Sequence, residues 1–240
     1  MKKLYLLIAS VSLAAAQIFA ASLATDNASN YSVSWTGNQG TGFGDWSFST
    51  SGAGGRYLGG TGEGNPSFGL YAGGDGGSDL SSASRGFTGE LTAGQTFNIS
   101  LGHSNGISTN GGEIGLNLTD GGLTVFTLKF IGGQSNWSLN DGGSDFSAGQ
   151  AYAADTSIAF SFTYNGGSSY SYSFGSGSGN NYTATSTITG IDGFTLFSNN
   201  QGGGQNFGAD SLSIVPEPSV FALMAGLLSL TAIALKRRSH

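Results

Sequence analysis

SIAFSFTYNGGSSYSYSF, residues 157–174, sets Ile158, Phe160, Phe162 and Tyr164 at every second position, breaks at Asn165-Gly166-Gly167, and resumes with Tyr170, Tyr172 and Phe174. A period of two puts all the apolar side chains of a segment on one face of a strand. Asn-Gly readily takes the positive backbone angles of a tight turn, so the two runs read as one hairpin. Upstream, Phe97, Ile99 and Leu101 alternate in the same way, as do Ile114, Leu116 and Leu118. The latter run leads through Asp120-Gly121-Gly122 into Phe126, Leu128 and Phe130. Phe194 with Leu196, and Leu212 with Ile214, close the region. Strands with one apolar and one polar face predict an all-β fold, an antiparallel β-sandwich of two packed layers. Before residue 95 the pattern is looser. Tyr31, Val33 and Trp35, then Trp46 and Phe48, are separated by glycine-rich tracts at 52–64 and 73–77, which read as long loops or edge strands.

The composition agrees with this. Of 240 residues 43 are Gly, 9% are charged and 12% aromatic, which excludes a helical bundle and is too rich in ordered apolar runs for a solvated low-complexity chain. With no cysteine, disulfides, zinc–thiolate sites and thiol nucleophiles are excluded. Between Ser22 and Ile214 the basic residues are Arg56, Arg85 and Lys129, against 13 acidic ones. A domain this acidic is repelled by phosphate backbones, so nucleic acid is not an expected partner. Divalent cations and neutral glycans remain compatible with it.

Both ends carry a different signature. Lys2 and Lys3 precede the apolar run Leu4 to Ala16, with small residues at Ala20 and Ala21, so residues 1–21 read as a secretory signal peptide cut after Ala20 or Ala21. At the other end Val215-Pro216-Glu217-Pro218 leads into Ser219 to Leu235, a run without a charge, which stops at Lys236-Arg237-Arg238. A helix of that length covers roughly 25 Å, close to the hydrocarbon thickness of a bilayer. The basic triplet is expected to stay cytoplasmic, leaving the region before Pro216 outside, as the N-terminal signal also requires. Two prolines bar helix and central strand on either side of Glu217, so the motif is expected to be extended and accessible to a processing enzyme.

Pro216-Glu217-Pro218, the apolar helix and the basic end, in that order, resemble the sorting domain of bacterial PEP-CTERM proteins over residues 215–240. The resemblance implies recognition by an exosortase, with Pro216, Glu217 and Pro218 as recognition elements and Lys236, Arg237 and Arg238 as the cytoplasmic stop. It further implies a C-terminal single-pass anchor in the inner membrane before processing. The destination it implies is the cell surface or exopolysaccharide matrix of a Gram-negative bacterium. Export without disulfides fits such an envelope. The exported domain is then 22–214, of which Gly86 to Ile214 resembles the lectin-like, concanavalin-type jelly-roll region often found ahead of this signal.

Catalytic candidates are few. His103 stands in Gly102-His103-Ser104-Asn105-Gly106, which reads equally as a polar turn, and no serine elbow or zinc-ligand pair accompanies it. Glycoside hydrolysis needs two carboxylates at a set separation; Glu63, Glu90 and Glu113 are present, but nothing in the sequence pairs them. Asn140-Asp141-Gly142-Gly143-Ser144-Asp145 offers hard oxygen ligands for calcium, without the spacing or terminal Glu of an EF-hand, and is also ordinary turn chemistry. Trp35, Trp46 and Trp137 are either sugar-stacking platforms or core. The reading is a non-enzymatic surface or matrix protein without a required cofactor. The alternative is a lectin-like module that binds exopolysaccharide. An exposed aromatic strip on a concave sheet face would favour the lectin, and a core that takes up every aromatic would favour the structural role.

Overall fold

The computed structural model describes residues 22–61, 63–73, 78–109 and 111–216. Residues Ser22–Val215 form one compact unit. The predicted signal segment 1–21, the sorting residues Glu217 and Pro218, the apolar run and Lys236-Arg237-Arg238 lie outside the described residues; Pro216 is the last described. No helix among the described residues is long and apolar enough to cross a membrane.

Fifteen strands follow one another along the unit: β1 (Ala24–Asp26), β2 (Ser47–Ser51), β3 (Gly54–Thr61), β4 (Gly64–Ala72), β5 (Leu80–Leu91), β6 (Thr96–Ser104), β7 (Glu113–Asp120) and β8 (Leu123–Ile131). Then come β9 (Asn136–Asn140), β10 (Phe146–Ala151), β11 (Ser157–Gly166), β12 (Ser169–Phe174), β13 (Gly177–Thr183), β14 (Ile191–Asn199) and β15 (Asn206–Val215). One sheet runs β13-β12-β11-β6-β15-β4-β3, with β1 also on β15; the other runs β10-β9-β8-β7-β14-β5-β2. Every strand pair is antiparallel.

The quoted hairpin forms as its pattern requires. Tyr164 pairs Tyr170 and Phe160 pairs Phe174 across a turn in which Gly166 and Gly167 have φ of 100° and 57°. The inward rows of the two sheets meet face to face, which is what makes the fold a sandwich. Phe126 of β8 packs edge-on against Phe162 of β11 at 5.1 Å, Phe194 of β14 lies 5.1 Å from Phe97 of β6, and Trp137 of β9 meets Phe174 of β12 at 5.0 Å. Each such side chain, fully buried, contributes on the order of 2–3 kcal/mol of hydrophobic stabilisation.

The looser N-terminal third is more regular than its sequence pattern. Within 52–64 lie the turn after β2 and the whole of β3, an edge strand, while β4 is internal, between β3 and β15. β5, twelve residues long, carries Ser81, Ala83 and Arg85 inward, a row whose small and polar side chains hide the period of two.

Arg85 ties the layers together. From β5 in the seven-stranded sheet it reaches Asp26 of β1 in the eight-stranded sheet, and both side chains are wholly buried. Its guanidinium also donates to the Gly44 carbonyl and the Asn38 side-chain oxygen, and lies over the rings of Phe43 and Trp46. Asp26 in turn accepts from the Asn27 backbone N–H, the Asn30 amide and the Tyr31 hydroxyl. A buried ion pair is tolerated when each nitrogen and each carboxylate oxygen finds a partner in this way.

Candidate functional site

An outward row of the seven-stranded sheet carries a continuous polar surface with a depression beside it. Ser47 pairs Ser84, Ser84 pairs Thr195, Thr195 pairs Asn117, Asn117 pairs Thr127, and Thr127 pairs Asn140. These six residues form a lane that crosses β2, β5, β14, β7, β8 and β9 at right angles to the strands. They stand outward because their neighbours Ala83, Phe194, Leu116, Phe126 and Leu139 point into the core. None of the six is buried. Within the lane Ser84 and Thr195 share a hydroxyl hydrogen bond of 2.8 Å, and the Thr127 hydroxyl donates to the Asn117 side-chain oxygen at 2.7 Å.

Along one flank runs an open groove of about 360 Å³. Asp45, Ser47, Ser84, Thr119, Asp192 and Thr195 line it, with Gly86, Gly122 and Gly193. The floor owes its depth to a register shift between Ile191 and Gly193 of β14 against β5; a Cβ on Gly193 would stand 2.7 Å from the Arg85 carbonyl. Thr119 donates to Asp192 at 2.7 Å. Arg85 contributes only its backbone here, since its guanidinium lies in the core.

The residues singled out in the sequence are scattered. Trp35, Trp46 and Trp137 are all core: Trp35 packs edge-on against Trp46 at 5.0 Å, and none forms a surface platform. Tyr71 and Tyr182, at 39% and 38% exposure, are the exposed large aromatics among the described residues, and they lie on the eight-stranded sheet. Glu63 lies between β3 and β4 and accepts from the Ser157 hydroxyl at 2.7 Å. Glu90 packs against Gly190, and Glu113 at the start of β7 is 3.7 Å from Lys129. No two of the three share a site.

His103 is fully buried in β6, on the core face. Its ring stacks on Tyr152 at 4.7 Å, which stacks on Phe130 at 4.0 Å. Neither ring nitrogen has a hydrogen-bond partner, and burial holds the imidazole below its usual range despite the neighbouring Asp155 carboxylate and Ala153 carbonyl. Closed off from solvent, it is placed for packing. In the 140–145 loop the oxygens are already engaged. Asn140 donates to the Gly143 carbonyl and to Asp145, Asp145 pairs with Lys129 at 2.9 Å, and Asp141 accepts from the Tyr170 hydroxyl. Among the described residues no three His, Cys, Asp or Glu side chains gather as metal ligands.

No family model matches the sequence, and no curated protein matches it. Solved structures do. The globular domain of T. cruzi calreticulin superposes with a TM-score of 0.47 at 10% identity, covering 81% of this chain and 94% of that one. Cellulose induced protein Cip1 superposes at 0.48 and 14% identity, covering 71% and 90%. The Caenorhabditis elegans galectin LEC-6 does so at 0.38 and 15%, covering 52% and 85%. Likeness at this level assigns no activity. The polar lane itself has no signature in the sequence, because its six members come from six strands and only the register brings them into line.

Proposed function

We propose that this chain is an exported, non-catalytic protein of the cell surface or extracellular matrix, sorted by an exosortase through Pro216-Glu217-Pro218 and anchored by its C-terminal helix until processed. The observation that carries the reading is where the domain ends. β15, which pairs with β6 on one side and with β4 and β1 on the other, finishes at Val215, so the sorting motif begins where the last strand is complete. Removal of everything from the motif onward leaves β15 whole. Uptake of the three tryptophans into the core supports a structural role. The test is intact-mass measurement of the surface-extracted protein. A chain that lacks residues 1–21 and the tail beyond the motif is expected, and replacing Pro216, Glu217 and Pro218 by alanine is expected to leave full-length tail in the inner membrane. Tail removal that is unchanged in that variant overturns the reading.

A second reading, a lectin-like module that binds exopolysaccharide, is favoured by the polar lane and its groove. It lacks the aromatic platform on which sugar rings stack, so any such binding rests on hydrogen bonds.

A further inference from the structure

We infer that the lane Ser47, Ser84, Thr195, Asn117, Thr127 and Asn140, with the flanking groove, is a binding site for one extended neutral polysaccharide chain laid across the strands; this rests on the lectin-like reading. Three observations point to a polymer of hydroxyls and to neutrality.

The first is repeat. Neighbouring strands lie about 4.8 Å apart, so six strands present a hydroxyl or carboxamide at regular intervals over roughly 24 Å. That is the reach of an oligomer and far more than a single sugar fills. The Ser and Thr hydroxyls and the Asn117 carboxamide can donate and accept, as a chain of sugar hydroxyls requires, while Asn140 closes the lane with its amide engaged in its own loop.

The second is the groove, which gives the lane a wall. Asp45 and Asp192 line it, and a carboxylate takes hydrogen bonds from hydroxyls more strongly than a neutral acceptor does. A comparable outward row, Ser178, Ser173, Ser161, Asn98, Ser213 and Thr25, crosses the eight-stranded sheet and serves as the internal control.

The third is sign. No cation faces the groove: Arg85 is turned inward, and Lys129 is held by Asp145 and Glu113. An anionic polysaccharide therefore meets two uncompensated carboxylates in a domain already strongly acidic.

The experiment uses the surface-extracted protein in affinity electrophoresis and calorimetry, with dextran and laminarin as neutral probes, alginate as the anionic probe, chitosan as the aminated one, and glucose against gluco-oligosaccharides for length. Expected are retention by a neutral polysaccharide, tightening with oligomer length, and no retention by alginate. Thr195→Val with Thr127→Val, which keeps strand shape, is expected to weaken neutral binding about tenfold or more. Asp45→Asn with Asp192→Asn is expected to admit alginate, and Ser161→Ala on the opposite sheet to change nothing; unfolding midpoints check that each variant is folded. Neutral binding that survives Thr195→Val with Thr127→Val overturns the assignment of the lane while leaving a lectin elsewhere on the domain. Binding to chitosan alone, abolished by salt, overturns the neutral ligand. Failure to bind any probe overturns the lane and the lectin-like reading together, and leaves the sorting proposal untouched.

Discussion

Asp26 and Arg85 are each wholly buried, so removing one strands the other where water does not reach. Asp26→Asn or Arg85→Met is expected to cost about 3–5 kcal/mol in denaturant unfolding, whereas the double variant costs less than the sum of the two. Additive losses would show that the pair acts as two independent groups. Two other titratable residues set opposing pH slopes. His103 is held below 6.5 by burial, so the unfolded chain takes up a proton before the folded one does, and stability falls as pH drops below about 6.5. Glu63 is pushed from 4.5 to about 7, first by burial and then by Asp210, with the Ser157 and Ser100 hydroxyls acting in the opposite direction. The folded chain therefore keeps a proton that the unfolded one releases, and this contribution fades as pH rises from about 4.5 through 7. Unfolding midpoints across pH 4 to 9 are expected to lose the acid limb in His103→Phe and the neutral limb in Glu63→Gln; an unaltered profile in both would refute the assignment. His103 was visible in the sequence as a lone histidine at a strand end. Its burial was not, because Tyr152, which covers it, is 49 residues further on.

Elements were legible where large apolar residues alternate, and illegible where glycine and serine do the same work. The Phe160 to Phe174 hairpin and the β7–β8 hairpin at Asp120-Gly121-Gly122 stand where the pattern put them, since Phe and Leu mark the inward face. β3 and β13 are built largely of Gly, Ser and Asn, and their strand identity comes from the neighbours they pair with. Two glycines separate turn chemistry from mere composition. Gly167, at φ 57° with open space around the site of a Cβ, is needed for its backbone angle alone; Gly89 in β5, with equally open space and ordinary backbone, is not. Gly167→Ala is expected to destabilise by about 1–2 kcal/mol, from left-handed strain. Gly89→Ala is expected to be neutral or to stabilise by up to about 1 kcal/mol, through the entropy of the unfolded chain. Equal effects in thermal unfolding would mean that the hairpin does not depend on that angle.

At the scale of the whole molecule the two ends of the domain are unequal, although their strands are partners. Ala24 pairs Ile214, and the Leu23 N–H donates to the Ile214 carbonyl at 2.8 Å, so the first strand lies along the last half of β15. β1 fills the edge that β4, paired only at Phe207 to Ala209, leaves open. It also delivers Asp26 to Arg85, which makes residues 22–26 a condition for burying the Arg85 charge. At the other end β15 is complete at Val215. The composition and the charge balance could be read without coordinates, but this asymmetry could not, because strand register decides it. A chain that begins at Asn27 is expected to lose at least the 3–5 kcal/mol of the stranded arginine plus the β1 pairing, and to expose core to dye binding or proteolysis. A chain that ends at Pro216 is expected to unfold at the same denaturant concentration as the surface-extracted protein. Were the N-terminal deletion stable and the C-terminal one not, the domain would depend on its sorting tail, and cutting at the motif could not release a folded protein.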